Sequence, residues 1–169
     1  MYIKKILAFG LSVALAAVLL TGCGASKNDE KGKNTQQQTQ QQSGQKYKDG
    51  IYSAEEDGFD ESSGWKNVVT LQVKDGKIVD AEWNAIHKDG GDDKKTLSAD
   101  GKYGMQEKGG AQAEWHEQAE KVEQYLLKTQ DPSDISYSDD EGHTDAISGA
   151  SIHVKEFFDL AAKALKDAK

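Results

Sequence analysis

Residues 65–86 read WKNVVTLQVK-DG-KIVDAEWNAI, and this stretch determines the architecture. Residues 65–74 alternate apolar with polar side chains, as a half-buried strand does, and the apolar ones include Val69, Leu71 and Val73. Asp75-Gly76 is a common sequence for a tight hairpin turn. Residues 77–86 alternate in the same way, with one face formed by Val79, Ala81, Trp83 and Ala85. The stretch therefore predicts two antiparallel strands joined by a hairpin.

The segments around the hairpin add strands and two amphipathic helices. Residues 47–54 are predicted to form the first strand, and residues 135–137 a short later one. Residues 113–128 and 152–166 each place apolar side chains on one helical face. These are Trp115, Ala119, Val122 and Leu126 in the first helix, and Val154, Phe157, Phe158, Ala161 and Leu165 in the second. We expect one α+β domain over residues 47–169, a twisted antiparallel sheet with two or three packed helices.

Residues 1–22 have the pattern of an export signal. Two lysines precede an apolar run, residues 6–20, that has the length of a signal peptide and is short for a membrane span. The run ends in Leu20-Thr21-Gly22-Cys23, which matches a lipobox, where the cysteine is lipidated and becomes the mature N-terminus. The alternative is a plain N-terminal anchor in which Cys23 is incidental. With the lipobox, we expect a lipid-anchored protein on the extracytoplasmic face of the cell membrane.

Residues 23–46 form a polar, glutamine-rich segment with no apolar periodicity. We interpret it as a flexible tether between the lipidated Cys23 and the domain. A coil of this length has a root-mean-square reach on the order of 25 Å.

Composition excludes several classes of function. The formal net charge is −8 and the chain contains no arginine, so it is a poor candidate for binding nucleic acid or anionic lipid. Cys23 is the only cysteine, which excludes an intramolecular disulfide, a CxxC zinc site and a cysteine nucleophile. His116 and Glu120 share a helix face, but a catalytic zinc needs three protein ligands, so no metal site is predicted there. The acidic run 139–141 lacks EF-hand spacing and predicts a solvated turn.

The residues with the clearest chemical potential are Asp145-Ala146-Ile147-Ser148-Gly149-Ala150-Ser151, just before the last predicted helix. We expect Ser151 at or next to the start of that helix. A helix N-terminus presents unpaired N–H groups that attract a phosphate. Serine is also an ordinary N-cap residue, and on these residues alone the cap is the commoner role.

The same residues resemble the D-x-x-[ST]-G-A-[ST] signature of FMN-binding domains. Further segments of the chain, in the same order, resemble that family in the form of single-domain surface lipoproteins of Gram-positive bacteria. These segments are Asp49-Gly50-Ile51-Tyr52, Gly64-Trp65-Lys66-Asn67-Val68-Val69, Asp75-Gly76-Lys77-Ile78-Val79, Lys94-Lys95-Thr96-Leu97, Tyr103-Gly104-Met105 and His116-Glu117-Gln118-Ala119. Ser151 occupies a position where threonine is usual, and His153 one where a second hydroxyl is often found.

The resemblance implies that a flavin transferase of the ApbE type joins FMN to Ser151 through a phosphodiester bond. Asp145 and Ser148 would orient the motif, and Gly149 and Ala150 would allow close approach. It also implies a carrier in extracellular electron transfer, more than a turnover enzyme. Electrons would come from a membrane quinone pool or flavoprotein and pass to soluble flavins, ferric iron or another acceptor.

Two other regions bear on such a cofactor. Residues 84–110 are glycine-rich and predict either a functional loop or a mobile one. Lys94 and Lys95 could face the flavin there, although a solvated loop is equally consistent, and Tyr103 and Met105 are expected to anchor it to the core. His143 and His153 flank the motif and are candidate flavin contacts, or simply a loop residue and a helix-face residue.

Two alternatives of different classes remain. One is a non-covalent FMN-dependent reductase, which would show saturable reoxidation by a diffusible substrate. The other is a non-redox surface lipoprotein that binds a ligand or partner, which would stay colourless in cells with an active transferase.

Overall fold

A computed structural model describes residues 46–169 of the chain. The predicted signal peptide, the lipobox Cys23 and residues 23–45 of the predicted tether lie outside the described residues. Across residues 46–169, every helix is too short or too polar to cross a membrane.

The core of the domain is a three-stranded antiparallel sheet with the order β1-β2-β3. Its strands are β1 (Gly50–Glu55), β2 (Trp65–Lys74) and β3 (Lys77–His87). The predicted hairpin is confirmed, since β2 and β3 pair antiparallel around Asp75 and Gly76, whose φ angles are 52° and 72°. Two successive positive φ values match the right-handed twist of the flanking strands. The Gly76 N–H also donates to the Asp49 carboxylate at 2.9 Å, which ties the turn to the start of β1.

The prediction assigned one residue, Val79, to the wrong face of β3. Ala81, Trp83 and Ala85 are buried, but Val79 is 48% exposed and Ile78 takes its place in the core at 2% exposure. The register explains this: Gln72 pairs with Asp80 while Val73 pairs with Ile78, so Val79 is left over between them. Such a bulge turns the preceding side chain to the opposite face of the strand.

Four α-helices complete the described part of the chain and confirm the α+β class. They are α1 (Lys94–Ala99), α2 (Met105–Gly109), α3 (Trp115–Thr129) and α4 (Lys155–Ala164), and a 3₁₀ turn, Leu165–Ala168, follows α4. α3 packs on β3, and α4 packs on β2 and β1. The predicted apolar stripes of both long helices are buried, and Phe157 meets Phe158 edge to face at 5.1 Å between ring centroids.

Two predicted connections are corrected. Residues 84–110 are not one long loop, because α1 and α2 lie within them. The carboxylate of Asp93 caps α1 by accepting the Thr96 N–H at 2.9 Å. Residues 135–137 form no strand; instead the Thr144 hydroxyl donates to the Ser136 carbonyl at 2.7 Å and holds that segment against the motif.

Candidate functional site

A cavity of about 600 Å³ lies where the start of β2, α1, α3 and the segment before α4 meet. Its lining combines aromatic rings with charged and hydroxyl side chains. The lining includes Glu56, Trp65, Asn67, Trp83, Lys94, Tyr103, Met105, Trp115, His143, Ser151, His153 and Glu156.

Lys94 stands among three aromatic rings of this cavity. Its Nζ lies 4.7 Å from the ring centre of Trp115, 5.1 Å from that of Tyr103 and 5.8 Å from that of Trp65. These distances are within the range of cation–π attraction. Burial lowers the pKa of Lys94 to about 8, although the carboxylates of Glu156 and Glu56 act in the opposite direction.

The neighbouring Lys95 has a different environment. Its Nζ pairs with the Glu82 carboxylate at 2.9 Å and with the Glu123 carboxylate at 2.8 Å. Burial lowers its pKa, but hydrogen bonds to these carboxylates outweigh burial and raise it above the usual value. Glu123 also accepts the Trp83 N–H at 2.6 Å, so Lys95 belongs to a structural network under the sheet. Only Lys94 of the two predicted flavin-facing lysines lines the cavity.

The floor of the cavity is a connected set of aromatic and polar groups. The indole of Trp83 packs edge to face on Trp115 with ring centres 5.2 Å apart. Its Nε1–H donates to the Asn67 amide oxygen at 3.1 Å, and the Asn67 backbone N–H donates to Glu56 at 2.7 Å. The cavity wall is therefore held in place before any ligand enters.

Tyr103 and Met105 are partly buried against the core and also line the cavity. They anchor the 84–110 region as predicted. Tyr103 contacts Trp65 edge to face, with ring centres 6.2 Å apart.

Ser151 is exposed and lines the same cavity. Its N–H and its hydroxyl both donate to the side-chain oxygen of Gln118, at 2.7 Å and 3.1 Å. The first helical residue of α4 is Lys155 and its N-cap is Val154, so Ser151 is not the N-cap of that helix. The expectation that Ser151 stands at or next to the start of this helix is therefore wrong, both as an ordinary cap and as a hydroxyl beside the helix N–H groups that would attract a phosphate. Gln118 holds Ser151 in place instead.

Gln118 is a site residue for which the sequence predicted no role, although it belongs to one of the segments that resemble FMN-binding domains. It is only 1% exposed, and its amide nitrogen donates to the Ala113 carbonyl at 2.9 Å, which leaves its oxygen pointed at Ser151. The sequence feature that could have identified Gln118 is its position beside the apolar stripe of α3. A neutral polar side chain there is buried, and a buried polar side chain needs a hydrogen-bond partner.

The rest of the motif is built as a surface loop on apolar anchors. Ile147 and Ile152 are buried, at 6% and 9% exposure, and hold the two ends. Gly149 has a φ of 79°, and a Cβ there would lie 2.5 Å from Lys121 Nζ. Lys121 donates to the Gly149 carbonyl at 3.2 Å. The lysine end is flexible and can move away, so the positive φ is the reason that the loop needs glycine at this position.

The predicted site residues divide into two sets. Ser151, His143 and His153 are brought together at the cavity. The other motif residues lie outside its lining: Asp145, Ser148 and Gly149 are exposed, and Ala150 is partly buried. They remain accessible from solvent.

The two histidines are in direct contact. Their ring centres are 4.3 Å apart in an edge-to-face arrangement, and His143 Nδ1 is 2.6 Å from a carboxylate oxygen of Asp139. His116 lies elsewhere, with its Nδ1 2.9 Å from the Ser98 hydroxyl.

Two solved structures are similar to this chain. One is a solution NMR structure of a protein from Clostridium thermocellum, 72% identical over 71% of this chain and 91% of that chain, with a TM-score of 0.55. The other is a crystal structure of a protein from Clostridium perfringens, 28% identical over 72% of this chain and 88% of that chain, with a TM-score of 0.56. No family model matches, and no curated protein matches. The chain belongs to the same family as the C. thermocellum protein.

Proposed function

We propose that this protein carries FMN covalently attached to Ser151 and acts as a lipid-anchored electron carrier at the outer face of the cell membrane. One observation carries the proposal: the exposed Ser151 lines the same cavity of about 600 Å³ that holds Lys94 among aromatic rings. Cavities that take ligands of this size typically measure roughly 300–1,000 Å³.

The residues present fit a flavin. Trp65, Tyr103 and Trp115 offer aromatic surface for a planar ring system. The Lys94 ammonium supplies positive charge for a carbonyl or phosphate oxygen of the cofactor. Bound FMN would supply the capacity to accept and release electrons, while the protein holds and partly shields it.

The environment of Ser151 favours a role as acceptor for another enzyme. Its hydroxyl donates to the amide oxygen of Gln118, and an amide oxygen is too weak a base to take the serine proton. Activation of this hydroxyl must therefore come from the flavin transferase. Once the hydroxyl is esterified, the Ser151 N–H can keep its bond to Gln118 and hold the attachment point.

Covalent attachment suits a protein outside the cell. A non-covalent cofactor is lost by dilution wherever its free concentration falls below its dissociation constant. A phosphodiester at Ser151, together with lipidation of Cys23, would keep the cofactor at the membrane surface. The proposed donors are the quinone pool or a membrane flavoprotein, and the proposed acceptors are soluble flavins or ferric iron.

The test is the intact mass of the full chain produced in cells with and without an ApbE-type transferase. We expect a transferase-dependent gain of one FMN minus one water, lost in Ser151→Ala and kept in Ser151→Thr. Ser138→Ala, an exposed serine outside the motif, is the matched control and should gain the same mass. An unchanged mass in the wild-type chain, or a gain that persists in Ser151→Ala, would contradict the proposal.

A further inference from the structure

We propose that Glu141, His143 and His153 bind a divalent first-row transition-metal ion, such as Zn²⁺, at the rim of the cavity. One potential ligand atom from each of the three residues lies within 4.8 Å of the others. The proposal does not depend on the flavin, because it rests on side chains other than Ser151.

The spacing is close to that of a metal site. His153 Nε2 lies 3.6 Å from the Glu141 carboxylate. In a tetrahedral zinc site with ligand bonds of about 2.0–2.1 Å, two ligand atoms are about 3.3 Å apart. All three side chains retain exposed surface, with 74% for Glu141, 31% for His143 and 51% for His153, so small χ rotations can close the remaining gap.

The backbone brings the ligands together before an ion binds. Glu141 and His143 flank Gly142, whose carbonyl accepts the Val154 N–H at 2.8 Å, and His153 immediately precedes Val154. Gly142 has a φ of 90°, and a Cβ there would lie 2.5 Å from the Cβ of Lys155. Glycine thus permits the close approach of the two ligand-bearing segments.

Asp139 is the positioning residue of this site. Its carboxylate accepts the His143 N–H at 3.0 Å through one oxygen and lies 2.6 Å from His143 Nδ1 through the other. A carboxylate at Nδ1 holds the proton on that nitrogen and leaves the Nε2 lone pair for a metal ion. Carboxylates in this arrangement commonly orient metal-binding histidines.

The donor set indicates the class of metal. Two imidazoles and one carboxylate suit zinc and other first-row divalent ions, whereas Mg²⁺ and Ca²⁺ prefer oxygen ligands alone. Three protein ligands leave at least one coordination position for water or for an anionic oxygen.

The experiment uses the full chain in detergent, purified through a histidine-free tag and stripped of metal with a chelator. Zn²⁺ binding is measured by calorimetry, and Co²⁺ binding by visible absorption. We expect one equivalent of each ion. Affinity should fall at least tenfold in His143→Ala and in His153→Ala, and should be unchanged in His87→Ala, which removes a histidine outside the cluster.

Two further variants separate the roles. Asp139→Asn can keep the bond from the His143 N–H, so we expect the Co²⁺ band to persist with affinity reduced about 10- to 100-fold. Ser151→Ala should bind Zn²⁺ as the wild type does, which makes failure of this proposal distinguishable from failure of flavin attachment. If His143→Ala does not fold, His143→Gln replaces it. Substoichiometric binding, or equal affinity in the wild type and both histidine variants, would overturn the proposal.

Discussion

Replacing Lys94 by methionine should stabilise the domain at neutral pH. Lys94 holds a partly buried ammonium among aromatic rings, where burial lowers its pKa to about 8. Methionine keeps most of the apolar stem and removes the charge. Functional sites often contain residues that lower stability, so a stabilising Lys94→Met would indicate that Lys94 is present for function.

The magnitude follows from two opposing effects at Lys94. A shift of the pKa from 10.5 to about 8 corresponds to a cost of about 3 kcal/mol, at 1.36 kcal/mol for each pKa unit. The three ring contacts lie between 4.7 and 5.8 Å, so each recovers about 0.5 kcal/mol. The free energy of unfolding of Lys94→Met should therefore exceed that of the wild type by about 1–2 kcal/mol.

The stabilisation by Lys94→Met should depend on pH, because Lys94 titrates at different pH in the folded and unfolded chain. Between pH 8 and 10.5 the unfolded chain holds the Lys94 proton and the folded chain does not, so the contribution of Lys94 to stability rises with pH in that window. The advantage of Lys94→Met should be full below pH 8 and decline towards pH 10.5. Urea unfolding followed by circular dichroism at several pH values measures this difference.

The adjacent lysine is the matched control. Lys95→Met leaves the Glu123 carboxylate with only the Trp83 N–H, and should destabilise by about 2–3 kcal/mol, less than a fully buried pair because Lys95 is partly exposed. Opposite signs for the two substitutions support the assignment of Lys94 to the cavity and Lys95 to the structural network. A destabilised Lys94→Met, or an advantage that does not change with pH, would show that the buried charge of Lys94 does not destabilise the domain.

Three further predictions concern the motif loop and the sheet. Gln118→Leu should lower the free energy of unfolding by about 1–3 kcal/mol, because it removes the hydrogen-bond acceptor of Ser151. Thermal melting measures the loss of stability, and the rate of transferase-dependent mass gain measures the effect on Ser151. Unchanged values in both assays would contradict the role of Gln118. Gly149→Ala should cost about 1–2 kcal/mol from its positive φ, and a neutral effect in urea unfolding would exclude that strain. Ile78→Ala should cost about 2–5 kcal/mol and Val79→Ala less than about 0.5, and equal costs would rule out the bulge register.

The sequence predicted correctly those elements whose structure depends on neighbouring residues. The hairpin at Asp75-Gly76 follows from alternation and turn chemistry, which neighbouring residues determine, and the structure has both. Val79 could not be placed correctly, because the bulge arises from how β3 pairs with β2. The six-residue α1 was missed since so short a helix has almost no periodicity, and its signal is the single cap Asp93.

The site was less predictable because it depends on contacts between distant residues. Lys94 and Lys95 are neighbours with the same side chain, and only the folded chain separates the one in the cavity from the one in the ion-pair network. His143 and His153 were expected near the motif, but their direct contact depends on the hydrogen bond from Val154 to Gly142.

Charge links the two proposals. A phosphate at Ser151 would lie near the acidic turn that carries Glu141, so it would need a compensating cation, and the lysines to consider are Lys94, Lys95 and Lys155. Lys95 is engaged in its ion pairs and Lys155 pairs with Asp159, so neither is free for an anion in the cavity.

Of those three lysines, Lys94 alone lines the cavity. Because its pKa is about 8, a fraction of the Lys94 side chains is neutral at pH 7. A divalent ion on Glu141, His143 and His153 would neutralise that carboxylate and add positive charge at the same rim as Ser151. A divalent ion carries twice the charge of a lysine ammonium, so at the same distance it attracts an anion more strongly. The acidic turn would then favour the cofactor phosphate, because it would serve as the scaffold of a cation site.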